Sequence, residues 1–190
     1  SFPSSFPGED ESGGLQQTET PQVQSGAPNV DFAALSRINP DIVGWLYCEG
    51  TQINYPDVQG SDDEYYLDHL FGGTQNVNGC LFLDSRVGAS FSSVHSIIYG
   101  HHMRSGAMFA ALDGYKRQSF YDAHPTMLLI TPDATYEVQL LAAYVADPSE
   151  NAWEVSFANY EEVQTWIEAA IARSTFTSDV KPKPGDRLLT

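Results

Sequence analysis

Basic residues are scarce in this chain: 9 Lys and Arg stand against 25 Asp and Glu, a formal charge of −16. Phosphate recognition needs clustered cations, so nucleic acid is excluded as a partner, and anionic membrane surfaces are disfavoured on the same ground. The acidity reads as a solubility feature, or otherwise as a match to cationic substrates. No run approaches the roughly 18 apolar residues that cross a bilayer, and the N-terminus lacks the basic region and apolar core of a signal peptide; the chain is expected to be soluble as it stands. Cysteine is nearly absent. Cys48 and Cys80, the only two, sit in the apolar contexts Trp45-Leu46-Tyr47-Cys48 and Gly79-Cys80-Leu81-Phe82, which suit buried thiols. A disulfide between them and a nucleophilic Cys80 stay open as alternatives, although no cation adjoins Cys80 to lower its pKa. His69, His95 and His124 have no metal-ligand spacing and read as structural or exposed. The acids Asp62, Asp63, Glu64 and Asp68 lack the glycine and ligand spacing of an EF-hand loop, so neither metal nor cofactor is expected. Internal repeats are also missing.

What is present divides in two. Residues 1–30 are rich in Ser, Gly, Pro, Gln and Glu; ordering them would cost more conformational entropy than their few apolar groups recover, and they read as a flexible tether. Residues 31–190 suffice for one domain with a full core. Asp31 is placed to cap a short helix carrying Phe32, Leu35 and Ile38, which Pro40 ends. Trp45–Cys48 and Ile53–Tyr55 read as a hairpin. Ser61–Phe71 opens on acids and continues as a helical turn or two. Leu81–Leu83 is a strand, Ala107–Leu112 and Gln118–Asp122 are short helices, and Thr126–Thr131 with Thr135–Val145 form a hairpin in which Val138, Leu140, Ala142 and Tyr144 face inward. Asn159 with Glu162 resembles a capping box, and Val163, Trp166, Ile167, Ala170 and Ile171 recur at helical spacing. A final strand begins at Arg187. Many short strands without regularly alternating helices argue against a doubly wound sheet. They favour a mostly β fold, a closed or nearly closed β-barrel with peripheral α-helices.

The stretch Ser96-Ile97-Ile98-Tyr99-Gly100-His101-His102-Met103 carries the chemistry. Its β-branched and aromatic residues fit a short buried strand. Gly100 ends that strand and admits another chain close by, so the histidines emerge from a rigid support. A histidine there can move protons near neutral pH, or it can be a hydrogen-bonded structural residue.

This stretch, with Met108-Phe109, resembles the histidine segment of class B sortases, the cysteine transpeptidases of Gram-positive cell surfaces. Asn78-Gly79-Cys80-Leu81-Phe82-Leu83-Asp84-Ser85-Arg86 resembles the family's preceding strand, and Asn39-Pro40-Asp41-Ile42-Val43-Gly44-Trp45-Leu46 its entry segment. Ser178-Asp179-Val180 with Asp186-Arg187-Leu188-Leu189-Thr190 resembles the strand leading to the nucleophile, where the family reads T-L-x-T-C and Thr190 takes the first place. The resemblance implies a sortase-type barrel, His101 as the catalytic histidine with His102 as a neighbour, and Leu67 in the substrate groove. It implies Tyr99 either shaping that groove or packing, and Trp153 in a substrate-facing loop within Asp147–Glu154. The nucleophilic cysteine and the family's arginine fall beyond Thr190, so the chain to Thr190 is expected to be inactive by itself. The implied partners are surface proteins bearing an Asn-Pro-x-Thr-type sorting signal and an amine acceptor, a peptidoglycan precursor or a pilin. The implied location is the extracellular face of the bacterial membrane, reached through an upstream anchor. A non-catalytic binding domain on the same scaffold and a Cys80-dependent hydrolase are the rival expectations.

Overall fold

Ile42–Tyr47 forms β1, buried at nearly every position, and turns back at Glu49-Gly50 into β2, Asn54–Val58, as an antiparallel partner. The computed structural model describes residues 26–147 and 151–190. The tether expected over 1–30 therefore lies largely outside the described residues. β3 (Leu81–Leu83) runs parallel to β2, and β5 (Ile98–Tyr99) antiparallel to β3. On the other side β6 (Thr126–Ile130) and β7 (Thr135–Gln139) extend the sheet, giving the order β5-β3-β2-β1-β6-β7. β4 (His95–Ser96) leads directly into β5 and pairs in parallel with β8 (Leu188–Leu189).

The sheet curls into a half barrel. Among the described residues no ladder joins β7 to β8; the Arg187 guanidinium, 4.7 Å above the Tyr136 ring, reaches across that gap instead. The concave side holds the main core, with Leu46, Ile53, Leu81, Leu83, Phe91, Ile98 and Leu129 among its buried members. The other face of β2 and β3 carries a smaller cluster of Val58, Tyr66, Cys80 and Phe82. That second cluster forms because Ser61–Phe71 folds over it: Asp62 accepts the backbone N–H groups of Glu64 and Tyr65 and starts a single 3₁₀ turn at Tyr65–Leu67.

The helices are peripheral. α1 (Phe32–Ile38) is capped by the Asp31 carboxylate on Ala34 N–H. A 3₁₀ segment, Phe109–Lys116, precedes α2 (Gln118–Ala123). α3 (Tyr160–Arg173) is capped by Asn159, whose side chain accepts from Glu162 N–H. The reciprocal bond of a capping box is displaced by one residue, since the Glu162 carboxylate takes Ala158 N–H. β7 stops at Gln139, six residues short of the expected strand. Leu140 N–H still reaches Pro125 O, after which the chain leaves β6, and Thr175 and Ser174 bond to Ala143.

Candidate active site

Gly100 ends β5 because nothing larger fits: a β-carbon there would stand 2.4 Å from the Leu81 side chain and 2.7 Å from the Phe109 ring. The chain then turns, and Phe109 N–H bonds back to His101 O. His101, half-buried, points its Nε2 at Leu67 O, 2.6 Å away. A carbonyl only accepts, so Nε2 is the nitrogen that carries hydrogen, and in the neutral ring Nδ1 holds the lone pair. Leu67 O is itself fixed from the other side. Gly79, at φ +59°, packs against the Tyr66–Leu67 peptide, and Cys80 N–H donates to Tyr66 O. Two glycines at strand ends thus bring the histidine and the 3₁₀ turn together.

His101 and Leu67 share an open cleft of about 830 Å³. Tyr65, Leu67 and Val77 give it apolar surface, while Asp62, Glu64 and Asp68 supply negative charge. Such walls suit an extended peptide with apolar side chains, and they favour a positively charged group beside the imidazole.

Tyr99, two residues before His101, packs against the second cluster. Its hydroxyl donates to Asp84 Oδ2 at 2.8 Å, and its ring packs 5.2 Å from that of Phe82. Burial and the adjoining carboxylate push the Tyr99 hydroxyl well above its ordinary pKa. Asp84 is fully buried and binds Arg86 through two bonds, Nε to Oδ1 at 2.9 Å and Nη2 to Oδ2 at 2.7 Å. Burial alone would raise its pKa. The bonds from Arg86 and Tyr99 outweigh that and hold the carboxyl below the usual range. Trp153 is 37% exposed and stands outside the cleft lining; its backbone oxygen accepts from Arg86 Nη2. Residues 148–150 of the expected substrate-facing loop lie outside the described residues.

The remaining candidates separate cleanly. His102 is exposed and binds Asp113, whose carboxylate also meets Lys116. His69 stacks on Tyr65 and His124 packs against Phe120. Cys48 and Cys80 are both buried free thiols, which removes the disulfide alternative. Cys80 bonds weakly to Pro56 O, and burial together with nearby Asp57 pushes its thiol up to about 12, the opposite of an activated nucleophile. Among the described residues no group of His, Cys, Asp and Glu is arranged to hold a metal ion, and no helix is long and apolar enough to cross a membrane.

No protein-family model matches the chain. Its sequence is 35% identical over 166 residues to sortase B of Listeria monocytogenes, covering 87% of this chain and 68% of that protein. It is 33% identical over 159 residues to sortase B of Staphylococcus aureus, covering 84% and 65%. The chain belongs to the class B sortases. Its fold agrees: the solved Staphylococcus aureus sortase B–substrate complex superposes with a TM-score of 0.80 at 32% identity, over 83% of this chain and 73% of that one. The family is one of cysteine transpeptidases with a barrel-like fold. This sortase chain spans just under two thirds of the Staphylococcus aureus relative's length.

Sequence reasoning did not single out Asp84 and Arg86 as a pair. The signal was present as an Asp-x-Arg step directly after the buried run Leu81–Leu83, where an acid at a strand end needs a partner. It also gave His95 no role beyond a structural or exposed one.

Proposed function

We propose that this chain forms the body of a transpeptidase that cleaves an Asn-Pro-x-Thr-type sorting signal and transfers the surface protein, through a thioester, to an amine of the cell wall or of a pilin. One observation supports this above the others. β8 runs parallel to β4 with His95 level with Leu188 and Ser96 level with Leu189, a constant offset of 93. Continued past Ile98, whose N–H binds Thr190 O, the strand would bring the fourth residue after Thr190 to the end of β5, where Gly100 turns the chain into His101. The family motif T-L-x-T-C, begun at Thr190, has its cysteine at that step.

A thiol level with an imidazole is held as thiolate when the ring is protonated. The thiolate attacks the threonine carbonyl of the signal, His101 gives its proton to the leaving amine, and the neutral ring then accepts a proton from the incoming amine as the thioester is resolved. The Nε2–H bond to Leu67 O holds the ring plane steady through both transfers. The family's arginine, in the chain beyond Thr190, is assigned to the developing oxyanion. Leu67 and Tyr65 contact the signal peptide, and Trp153 flanks it. The acidic cleft favours an ammonium-bearing acceptor. The enzyme acts at the outer face of the membrane, held by a segment upstream of this chain.

The test is cleavage of an Asn-Pro-x-Thr peptide by the full-length protein and its variants. His101→Ala abolishes turnover, while His102→Ala and Cys80→Ala retain most of it. An active His101→Ala beside an inactive His102→Ala inverts the assignment, and loss of activity in Cys80→Ala alone moves the nucleophile to Cys80.

A further inference from the structure

His95 is fully buried, and both of its ring nitrogens are engaged. Nδ1 lies 2.5 Å from Glu154 O and Nε2 lies 2.7 Å from Thr190 Oγ1, while the ring packs 4.7 Å from that of Trp166 on α3. The chemistry of the partners fixes the proton. A backbone oxygen cannot donate, so Nδ1 carries the hydrogen; burial favours the neutral ring, so Nε2 accepts the Thr190 hydroxyl proton.

The ladder that this bond supplements is short. β8 holds to β4 and β5 through Leu188 N–H to Val94 O, Thr190 N–H to Ser96 O and Ile98 N–H to Thr190 O. A strand of two residues specifies its register weakly, and a slip of one residue turns every following side chain to the opposite face. For a nucleophile four residues further on, such a slip removes the thiol from the imidazole altogether. A side-chain bond that only one alignment satisfies is a register lock, and a fully buried imidazole with one acceptor nitrogen to satisfy supplies it. The same ring holds Glu154 O, next to the Trp153 carbonyl that Arg86 holds.

Resting on the transpeptidase reading above, we propose that His95 is a positioning residue: through the Thr190 hydroxyl it sets the register of the nucleophile strand against the histidine strand, and through Glu154 it ties the Trp153 turn to the same frame.

The experiment uses the full-length protein with Thr190→Val, Thr190→Ser and His95→Asn, the last of which keeps an N–H for Glu154 and gives up the bond to Thr190. Turnover is expressed per thiol titrated with an irreversible alkylating reagent, and the pH dependence of alkylation is recorded beside it. Thr190→Val and His95→Asn are expected to lower kcat by at least about tenfold with KM within about twofold. Their catalytic thiol is expected to titrate at higher pH, because a displaced thiolate loses His101. Thr190→Ser keeps the hydroxyl and restores both readings, and the double variant His95→Asn with Thr190→Val is no worse than either single one. If Thr190→Val and His95→Asn lower only the melting temperature, with kcat per titrated thiol and the thiol titration unchanged, His95 is a packing residue and the proposal fails. A wild-type protein that does not turn over the peptide, but whose thiol titration still separates Thr190→Val from Thr190→Ser, overturns the substrate reading and leaves the register lock standing.

Discussion

Gly79 lies so close to Leu67 that a β-carbon on it would stand 2.6 Å from the Leu67 oxygen, the atom that His101 binds. The glycine also sits at φ +59°, where a side chain costs roughly 1–2 kcal/mol. Gly79→Ala is therefore expected to destabilise the fold by about 2 kcal/mol and to push the Leu67 carbonyl off the imidazole, cutting peptide cleavage at least about tenfold. Thermal unfolding and steady-state turnover of the full-length protein check both. Unchanged turnover with lowered stability would mean that the His101–Leu67 bond has no part in catalysis.

Asp57 presents the reverse case, a polar group where an apolar one belongs. It is fully buried in β2, and neither carboxyl oxygen has a hydrogen-bond partner among the described residues. Burial raises its pKa well above the carboxylate range. Asp57→Val is expected to stabilise the protein by about 1–3 kcal/mol at neutral pH. The sign of the pH dependence follows from the raised value. Above about pH 3.9 the unfolded chain gives up this proton while the folded one retains it, so the wild type loses stability relative to Asp57→Val as pH rises. Urea denaturation of both proteins at pH 5 and pH 8 tests this, and a gap that narrows with pH refutes it.

Asp84 titrates the other way. Its folded pKa lies below the ordinary one, so its contribution is complete above about pH 3.9 and is lost as pH falls through the lower folded value. Asp84→Ala strands the Tyr99 hydroxyl and leaves Arg86 its bond to the Trp153 carbonyl but no carboxylate. The expected cost is about 2 kcal/mol, below that of a fully buried pair because the Arg86 side chain is 51% exposed. Denaturation at pH 7 measures it; at pH 2 the difference from wild type is expected to shrink.

Both described thiols should resist labelling. Cys48 and Cys80 are buried, and Cys80 is pushed up to about 12. Iodoacetamide at pH 7.5 is expected to leave them unmodified in the native chain and to label both in guanidinium, as read by intact mass. Native labelling of Cys80 would reopen its candidacy as a nucleophile.

Local chemistry made much of this legible. Asp31 and Asn159 cap the helices that their side chains predict, because a cap depends on residues three positions apart. The strands at Trp45, Leu81 and Ile98 follow from apolar and β-branched runs. What stayed hidden depends on residues far apart in sequence. Nothing near His101 names Leu67 O as its partner, 34 positions away, and nothing near His95 names Thr190. Tyr99 obeys the parity of a strand, lying two residues before His101 on the face that the Tyr65–Leu67 turn covers, but its hydroxyl partner Asp84 is fifteen positions back and nothing beside Tyr99 names it. The early end of β7 escaped because the sequence alternation continues through Leu140, Ala142 and Tyr144, although it is Ala143 that packs on the core and bonds to Ser174 and Thr175.

The offset between β4 and β8 also orders events in time. Joining His95 to Leu188 closes a loop of 93 residues, whereas joining Leu67 to His101 closes one of 34. By chain entropy the longer closure costs about 0.9 kcal/mol more, and it yields only a two-residue parallel ladder in return. During refolding the acidic cleft with its imidazole is therefore expected to assemble before β8 docks on β4, an order that pulsed hydrogen exchange of the Leu188 and Thr190 amides would read. On the transpeptidase reading proposed above, that order would seat His101 before a thiol could be brought beside it, and the reactive pair would arise only in a domain otherwise folded.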